Sequence, residues 1–242
     1  FNRILCLELK EKSKDNVIRG IKKIEKRNEV ISAGPNYFAK TTSIDELNDE
    51  KISQQWGLAS VKAYEAWNIS NNASDVIVGV VDSGIDSTHI DLCENIHKAE
   101  RYKSLHRDFI NNVDEGILIT TPYDRNGHGT HVAGIIGAQA NNNEGISGIC
   151  WNVKLVSLSV INEYGLAHTA HIINAICYAA KVNIPILNMS LEVNFFDETL
   201  KTAVESYKGL IVCGAGNSGT NIDEKPIYPV LFNCDNIKML IS

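Results

Sequence analysis

The sequence predicts an α/β protein with a doubly wound, mostly parallel sheet, preceded by a small N-terminal α+β domain. From about Gln54 onward, short apolar runs alternate with stretches of helical periodicity, which is typical of parallel strands joined by helices. The apolar runs are continuous, as expected for strands that are covered on both faces. The 242 residues, of which 44% are hydrophobic, are enough for one large domain and a small companion.

The start of the chain predicts a strand, a helix and a second strand. The apolar run at 4–9 is typical of a strand, and Ser13 then stands where a helix cap is expected. Apolar residues at helical spacing continue the helix to about Lys26. The segment 29–38 predicts the second strand. We therefore assign residues 1–40 to a small α+β domain.

The polar stretch at 41–53 has some helical tendency and is interpreted as a linker to the main domain, 54–242. In the main domain the predicted strands are 76–82, 154–160, 185–191 and 209–215. The predicted helices are 130–139, 170–181 and 198–207. Sites in such sheets lie at the carboxyl ends of the strands. Asp82 and the glycines from Gly214 onward are at two such ends.

Charge is distributed unevenly along the chain. Residues 1–40 hold 10 Lys and Arg against 5 Asp and Glu, whereas the remainder holds 13 against 24. The basic segment and the acidic body are predicted to dock on each other, although a solvated basic helix is the simpler alternative. An acidic body is a poor match for nucleic acid. No apolar run approaches the roughly 18 residues of a membrane span, and no secretory signal is visible in the printed sequence.

Asp82 and His128 have the residue types and settings of a catalytic acid–base pair. Asp82 ends a strand of β-branched residues, where an ionised carboxylate needs a partner. His128 lies between two glycines, which let backbone and substrate approach closely. A carboxylate bound to one ring nitrogen fixes the tautomer and leaves the other nitrogen free as a base. Taken singly, Asp82 could instead be a turn former, but the two motifs together favour the catalytic pair.

Four segments resemble motifs of the subtilases, the subtilisin-like serine endopeptidases. VVDSGIDSTHIDL at 80–92 is similar to the family's Asp motif, and NGHGTHVAGIIGA at 126–138 is similar to its His motif. NMSL at 188–191 resembles the segment that lines the substrate cleft, and GAGN at 214–217 resembles the oxyanion motif. The order of Asp before His is that of subtilisin. The resemblance covers 54–242 and implies a subtilisin-like fold that hydrolyses peptide bonds in polypeptide substrates.

The resemblance implies a role for each matching residue. Asp82 would orient His128, and His128 would take the proton of a nucleophilic Ser and return it to the leaving amine. Asn217 would donate a hydrogen bond to the oxyanion. The walls of the substrate pocket would be formed by Ser190, Leu191, Gly214, Ala215 and Gly216. Residues 1–38 resemble the family's inhibitory propeptide, which has a strand–helix–strand plan and docks on the peptidase domain.

Three departures from the family pattern bear on activity. No Ser in a GTS-type turn occurs in the 242 residues, and only 25 residues follow Asn217. Ser218 adjoins the oxyanion position and is interpreted as a loop residue. Glu192 stands where the family usually has Gly, in the path of the substrate backbone, and the tail IKMLIS departs from the family's small residues. We therefore expect a peptidase domain that is truncated before its nucleophile and is inactive by itself.

Other functions stay open on the residues alone. The chain could be a pseudoprotease that binds peptides or another protease. GAGNSG at 214–219 fits a dinucleotide-binding pattern, but the polar segment after it does not start the required helix. His128 and His131 lie at helical spacing and could bind zinc, with Asp82 or Asp124 as a further ligand. The resemblance favours a secreted or cell-surface location.

The chemistry is expected to need no cofactor, but the resemblance implies a structural Ca²⁺ site. Asp91 stands where subtilases often supply a carboxylate to calcium. The loop at 138–148 resembles the partner loop, with Asn142 as a side-chain ligand. The carbonyls of Glu144 and Ile146 would complete the set, and such hard oxygen donors suit Ca²⁺. The alternative is an ordinary Asn-rich turn.

Overall fold

A computed structural model describes the following residues of the chain: 7–11, 13–35, 47–98, 104–111, 117–119 and 122–240. The chain divides into two compact units, residues 1–41 and residues 42–242. The sheet and its helices all lie in the larger unit.

The smaller unit contains helix α1, Lys14–Ile24, as predicted. Ser13 caps it, because its Oγ accepts a hydrogen bond from the backbone N–H of Asn16 at 3.2 Å. The strand predicted at 4–9 lies outside the described residues up to position 6, and 7–9 are irregular. The strand predicted at 29–38 is wrong for residues 29–35, which are also irregular, while 36–38 lie outside the described residues. A strand needs a sheet face on which to bury its apolar side chains, and Ile31 is 83% exposed.

Seven strands form one sheet in the described part of the larger unit. They are β1 Ile77–Asp82, β2 Arg107–Asp108, β3 Ile117–Leu118, β4 Lys154–Ser159, β5 Ile186–Met189, β6 Leu210–Gly214 and β7 Ile237–Leu240. Their order across the sheet is β3-β2-β4-β1-β5-β6-β7. The β2–β3 pair is antiparallel and all other pairs are parallel. The four predicted strands are confirmed as β1, β4, β5 and β6.

Five α-helices accompany the sheet in the described residues of the larger unit. They are α2 Trp56–Ser60, α3 Ala63–Trp67, α4 His128–Gly137, α5 Thr169–Lys181 and α6 Glu198–Ser206, and a short 3₁₀ helix spans Ile52–Gln54. The three predicted helices correspond to α4, α5 and α6. Within the described ranges, no helix has the length and apolar character that crossing a bilayer requires.

Two hydrophobic cores lie on opposite faces of the sheet. Along β1, Val80 packs in the core that contains Ala133 of α4, whereas the next residue, Val81, packs in the core that contains Ile172 of α5. The predicted doubly wound, mostly parallel architecture is therefore confirmed. Because side chains alternate between the faces of a strand, Asp82 lies on the same face as Val80, which is the face that α4 covers.

Candidate active site

Asp82 is the last residue of β1, at the carboxyl edge of the sheet. Its side chain is fully buried, and its Oδ1 accepts a hydrogen bond from the backbone N–H of Ser83 at 2.7 Å. Burial raises the pKa of the Asp82 carboxyl, and the hydrogen bonds from His128 and Ser83 offset only part of that rise. The imidazole is therefore the partner that favours the ionised form of this carboxyl group.

His128 is the first residue of α4 and faces Asp82. Its Nδ1 lies 2.8 Å from Oδ1 and 3.0 Å from Oδ2 of Asp82. An ionised carboxylate can only accept hydrogen bonds, so Nδ1 carries the proton and the lone pair of the neutral ring is on Nε2. The His128 side chain is 49% exposed, whereas that of Asp82 is 0% exposed. Among the described residues, no group hydrogen-bonds to Nε2, which is left available to a reacting group.

Two glycines let the helix approach the strand closely enough for this contact. A Cβ on Gly129 would lie 2.2 Å from the carbonyl oxygen of Gly84 and 3.1 Å from the Cβ of Asp82. The backbone N–H of Gly129 also donates to Ser83 Oγ at 2.9 Å. Gly84 has a φ of +130°, and a Cβ there would lie 2.1 Å from the Tyr123 carbonyl oxygen. A side chain at Gly129 would force α4 away from β1, and one at Gly84 would displace the turn that precedes α4.

Asp124 organises the turn that leads into His128. Its Oδ1 accepts hydrogen bonds from the backbone N–H groups of Asn126 and Gly127, both at 2.9 Å. Its Oδ2 accepts from the N–H of Thr130 at 2.9 Å and from the Thr130 hydroxyl at 2.7 Å. Burial alone would raise the pKa of the Asp124 carboxyl, but the bonds from Thr130, Gly127 and Asn126 outweigh it and lower the pKa. An Asp shortly before a Gly and a helix start is the sequence signal for such a cap.

Arg125 ties the same turn to the sheet through Asp108, which sequence reasoning did not identify. The Arg125 guanidinium lies 3.0 Å from Oδ2 of Asp108, whose side chain is buried. The Tyr123 hydroxyl donates to the same oxygen at 2.9 Å, and the guanidinium stacks 4.5 Å above the Tyr123 ring. Asp108 lies on the two-residue strand β2, which is too short to give a periodic pattern. No sequence signal therefore links Asp108 to this turn.

The structure argues against the two alternative readings of these motifs. In the described part of the chain, no three His, Cys, Asp or Glu side chains come together as a metal site, and His131 is exposed on α4. Asp124 is a capping residue, as described above. No helix follows Gly214 in the described residues to position 240, so the dinucleotide motif lacks the helix N-terminus that it needs.

The predicted pocket residues follow the two strands next to β1 on one side. Ser190 and Leu191 follow β5, and Ser190 Oγ accepts a hydrogen bond from Asn188 Nδ2 at 2.9 Å. Gly214, Ala215 and Gly216 end or follow β6, and Asn217 after them is exposed. Strands β1, β5 and β6 are consecutive and parallel, so all these residues lie at the same edge of the sheet as Asp82.

The loop predicted to bind calcium surrounds Asp91. This carboxylate is buried, and its Oδ1 accepts a hydrogen bond from Asn142 Nδ2 at 2.9 Å. Its Oδ2 accepts from the backbone N–H of Ile146 at 2.9 Å, and Asn142 Oδ1 accepts from the backbone N–H of Glu144 at 2.9 Å. A Cβ on Gly145, where φ is +38°, would lie 2.4 Å from Asp91 Oδ2. The structure thus brings together Asp91 and the predicted partner loop.

Asp49 is a second buried carboxylate under this loop and was not identified from the sequence. Its Oδ2 accepts from the backbone N–H of Asn141 and its Oδ1 from that of Asn142, both at 3.1 Å. The Ser147 hydroxyl also donates to Oδ2. These contacts join residues about ninety positions apart, and Asp49 lies in the polar stretch that we interpret as a linker. A polar, acidic stretch gives no signal that one of its carboxylates is buried.

Fold and site together define an α/β protein with a buried Asp–His pair at the carboxyl edge of a parallel sheet. Asp82 ends the first core strand and His128 begins the next core helix, and this order along the chain is the one that the sequence resemblance predicts. The chain belongs to the subtilase family of serine endopeptidases, whose sequence model matches residues 73–236.

Proteins of several organisms are similar to this chain. Subtilisin-like protease 2 of Plasmodium falciparum (isolate 3D7) is 32% identical over 198 residues, which cover 77% of this chain and 14% of that protein. A thermophilic serine proteinase of Bacillus sp. (strain AK1) is 30% identical over 226 residues, covering 89% and 52%. The major intracellular serine protease of Bacillus subtilis (strain 168) is 34% identical over 184 residues, covering 73% and 54%. The chain spans less than two thirds of the length of each of these relatives.

Proposed function

We propose that this chain carries the acid–base pair of a serine endopeptidase, in which Asp82 orients His128 and His128 is the general base. The observation that carries the proposal is the contact of 2.8 Å between the buried Asp82 carboxylate and His128 Nδ1. It holds the ring in the tautomer whose free nitrogen is Nε2, and the His128 side chain is half-exposed. Because the chain spans only part of its relatives, the activity and the polypeptide substrates of the whole protein are part of this proposal.

His128 would act through Nε2 in two proton transfers. It would accept the proton of a hydroxyl nucleophile as that oxygen attacks the peptide carbonyl. It would then donate the proton to the amine that leaves when the C–N bond breaks. Asp82 would keep its charge throughout and would stabilise the imidazolium that forms between the two transfers.

Asn217 is proposed to donate its side-chain amide to the oxyanion. Its position after β6 supports this role, because β6 lies two strands from β1 and therefore about 10 Å away along the same edge. Asn217 is exposed, and Gly216 before it adopts a φ of +90° that turns the chain at the strand end. Such a donor is worth about 3–4 kcal/mol of transition-state energy, a value that was itself obtained on a subtilisin.

The 242 residues by themselves are proposed to be inactive. They contain no Ser in a GTS-type turn. Ser218, which adjoins Asn217, is an exposed loop residue whose Oγ is 2.7 Å from Thr220 Oγ1. Without a nucleophile, the pair has no hydroxyl to deprotonate. A serine-directed fluorophosphonate should therefore leave the chain unlabelled, and labelling of Ser218 or of any other serine would contradict this part of the proposal.

A peptide with a chloromethyl ketone at its carboxyl end tests the general base, because an alkylating group bound in the cleft reacts with a nearby basic nitrogen. We expect mass spectrometry to find the adduct on His128, while the exposed His131 reacts much more slowly because a peptide bound in the cleft does not hold the alkylating group beside it. Asp82→Asn should slow alkylation at least tenfold, because an amide no longer fixes the tautomer. Asp75→Asn, the same change at an exposed position, should leave the rate unchanged. Equal alkylation of His128 and His131 would refute the proposal.

The second candidate function is that of a pseudoprotease that binds peptides or another protease without cleaving them. Two observations support it. The predicted cleft residues lie at the ends of β5 and β6, and no hydroxyl group in the described part of the chain hydrogen-bonds to His128 Nε2. Hydrolysis and binding are distinguished by incubating a fluorogenic peptide with the whole natural protein. Turnover that is abolished by His128→Ala supports the peptidase, and binding without turnover supports the pseudoprotease.

The N-terminal segment is proposed to dock on the peptidase domain as an internal partner. Residues 1–40 hold 10 Lys and Arg and 5 Asp and Glu, whereas the remainder holds 13 Lys and Arg and 24 Asp and Glu. The two parts therefore carry opposite net charge. Attraction between exposed charges is screened over about 8 Å at physiological salt. Proteolysis of the segment should therefore speed up as the salt concentration rises, and a rate independent of salt would contradict docking by charge.

A structural Ca²⁺ is proposed at the Asp91 loop. The buried Asp91 carboxylate is a hard oxygen donor of the kind calcium prefers. Asn142 presents its NH2 group to this carboxylate, so its amide would have to turn to offer Oδ1 to the ion, and the carbonyls of Glu144 and Ile146 would complete the set. Ca²⁺ at 100 times its Kd would stabilise the fold by about 2.7 kcal/mol by mass action. We expect Ca²⁺ but not Mg²⁺ to raise the Tm, and Asn142→Ala to abolish the increase. An unchanged Tm in millimolar Ca²⁺ would identify the loop as an ordinary Asn-rich turn.

A further inference from the structure

The Glu192 side chain reaches from the segment after β5 to the segment after β6, and these two segments form the proposed pocket. It follows β5 by three residues and is exposed. Its Oε2 lies 3.0 Å from the position that a Cβ would take on Gly216, just beyond β6. The carboxylate therefore stands between the segment of Ser190 and Leu191 and the segment of Gly214 to Gly216, which are the two proposed walls.

The backbone around Glu192 is fixed, although the side chain is exposed. The next residue, Val193, pairs with Tyr228 through two backbone hydrogen bonds of 2.8 and 2.9 Å. On the same side of Gly216, Ile227 Cδ1 lies 2.9 Å from this Cβ position. The Cβ side of Gly216 is therefore covered by one carboxylate and one aliphatic group, and both the close contacts and the φ of +90° disfavour any residue but glycine there.

The Glu192 carboxylate has no cationic partner in the described part of the chain. No hydrogen bond or ion pair within the described residues involves its oxygens, in contrast to Asp108, which is paired with Arg125. An unpaired carboxylate beside an apolar group suits a ligand with an aliphatic stem and a cationic end. Lysine and arginine side chains have this form, since they bury their methylene groups and keep the charge at the tip.

We propose that Glu192 makes the pocket selective for peptides with Lys or Arg at the residue that enters it. This inference rests on the proposed function, because it assumes that peptides bind between the ends of β5 and β6. It assigns a role to the residue that departs from the family's usual Gly. The carboxylate is a specificity determinant at the pocket wall, and its flexible stem lets it move aside as the cationic side chain enters.

The expected selectivity is modest because the pair forms at a partly exposed site. Ion pairs of this kind are worth up to about fivefold in binding, and more where water is excluded. The preference should weaken as salt rises, since exposed charges are screened. A neutral side chain of the same length, norleucine, provides the matched comparison for lysine because it keeps the aliphatic stem and lacks the charge.

The test measures binding of short Ala- and Gly-based peptides to the full 242-residue chain by fluorescence anisotropy. Each fluorescein-labelled peptide carries one variable residue, which is Lys, norleucine or Glu. We expect the Lys peptide to bind about fivefold more tightly than the norleucine peptide, and the Glu peptide to bind most weakly. Glu192→Gln should equalise the Lys and norleucine peptides. Glu65→Gln on α3 changes the net charge equally, at an exposed residue outside the cleft, and should preserve the preference.

Each other outcome contradicts the role of Glu192, and the last one also contradicts the peptide cleft. If the Lys and norleucine peptides bind equally to the unmodified chain, the role of Glu192 is refuted while the peptide cleft is supported. If Glu192→Gln retains the preference for Lys, another group selects the charge and the role of Glu192 is again refuted. If no peptide binds, both the selectivity and the peptide cleft of the proposed function are refuted.

Discussion

The close approach in the site between Gly129 of α4 and Gly84 after β1 gives a sharp prediction for Gly129→Ala. A Cβ on Gly129 would lie 2.2 Å from the Gly84 carbonyl oxygen, whereas carbon atoms in contact are about 3.5–4.0 Å from their neighbours. Either the helix or the strand end must move by about 1 Å. Because the obstructing atom belongs to the backbone, no side-chain rotation relieves the clash.

The same helix contains a matched control, Gly134→Ala. The added Cβ there would lie 3.6 Å from Ile146 Cδ1, which is an ordinary contact. Alanine is favoured over glycine in a helix by about 1 kcal/mol, so Gly134→Ala should be neutral or stabilising. Overpacking at Gly129 should cost about 1–3 kcal/mol in spite of that preference. The two variants are therefore expected to differ by about 2–3 kcal/mol in their free energy of unfolding.

Urea denaturation of the two variants and the unmodified chain measures this difference. Alkylation by the peptide chloromethyl ketone then reports the second consequence, because displacement of α4 separates His128 from Asp82. Gly129→Ala should slow alkylation of His128, whereas Gly134→Ala should leave it unchanged. Equal stability of the two variants would show that the backbone at Gly84 moves without lowering the free energy of unfolding, and the argument from close packing would then be wrong.

Three further predictions concern buried groups of the larger unit. Burial lowers the pKa of His106 to about 4 from its ordinary value of 6.5. Between these two pH values, the His106 side chain is protonated in the unfolded chain but not in the folded chain. Urea titrations should show full stability above pH 6.5 and a loss of about 3 kcal/mol on acidification toward pH 4, and His106→Gln should flatten this dependence. Asp124→Ala removes acceptors for four hydrogen bonds and should cost about 2 kcal/mol near pH 7. Because the pKa of Asp124 is lowered, this cost should shrink as the carboxyl group is protonated in acid, and a constant cost at all pH values would refute the assignment. Arg125→Met leaves the Asp108 carboxylate buried without its cation and should cost about 2 kcal/mol or more in thermal or urea unfolding. Adding Asp108→Asn should restore part of that loss, and strict additivity would argue against the pair.

The sequence predicts those parts of the fold whose burial is continuous along the chain. In β1, every residue from Val78 to Asp82 is buried, and β4 is buried in the same way after Lys154. Such runs produce the apolar strands that the sequence analysis identified. The two-residue strands β2 and β3 have no period to detect, and their existence depends on the edge of β4 against which β2 pairs.

The same distinction applies to the site. Asp82 and His128 are recognisable because each lies within a local motif that the family resemblance covers. Asp49 and Asp108 are also buried, but their structural roles depend on contacts with distant segments. The bond from Asn141 to Asp49 joins residues 92 positions apart, and no local pattern marks either end. A buried carboxylate in a polar stretch has the same local sequence as an exposed one, so the sequence alone cannot separate them.

These distant contacts also determine how the site should be tested. The turn before His128 is held by Asp124, through its bonds to Asn126, Gly127 and Thr130. It is held a second time by the salt bridge from Arg125 to the sheet. Neither anchor passes through Asp82. Replacing Asp82 with Asn should therefore leave the turn in place and remove only the group that fixes the His128 tautomer, so that a change in His128 reactivity reports chemistry and not a displaced backbone.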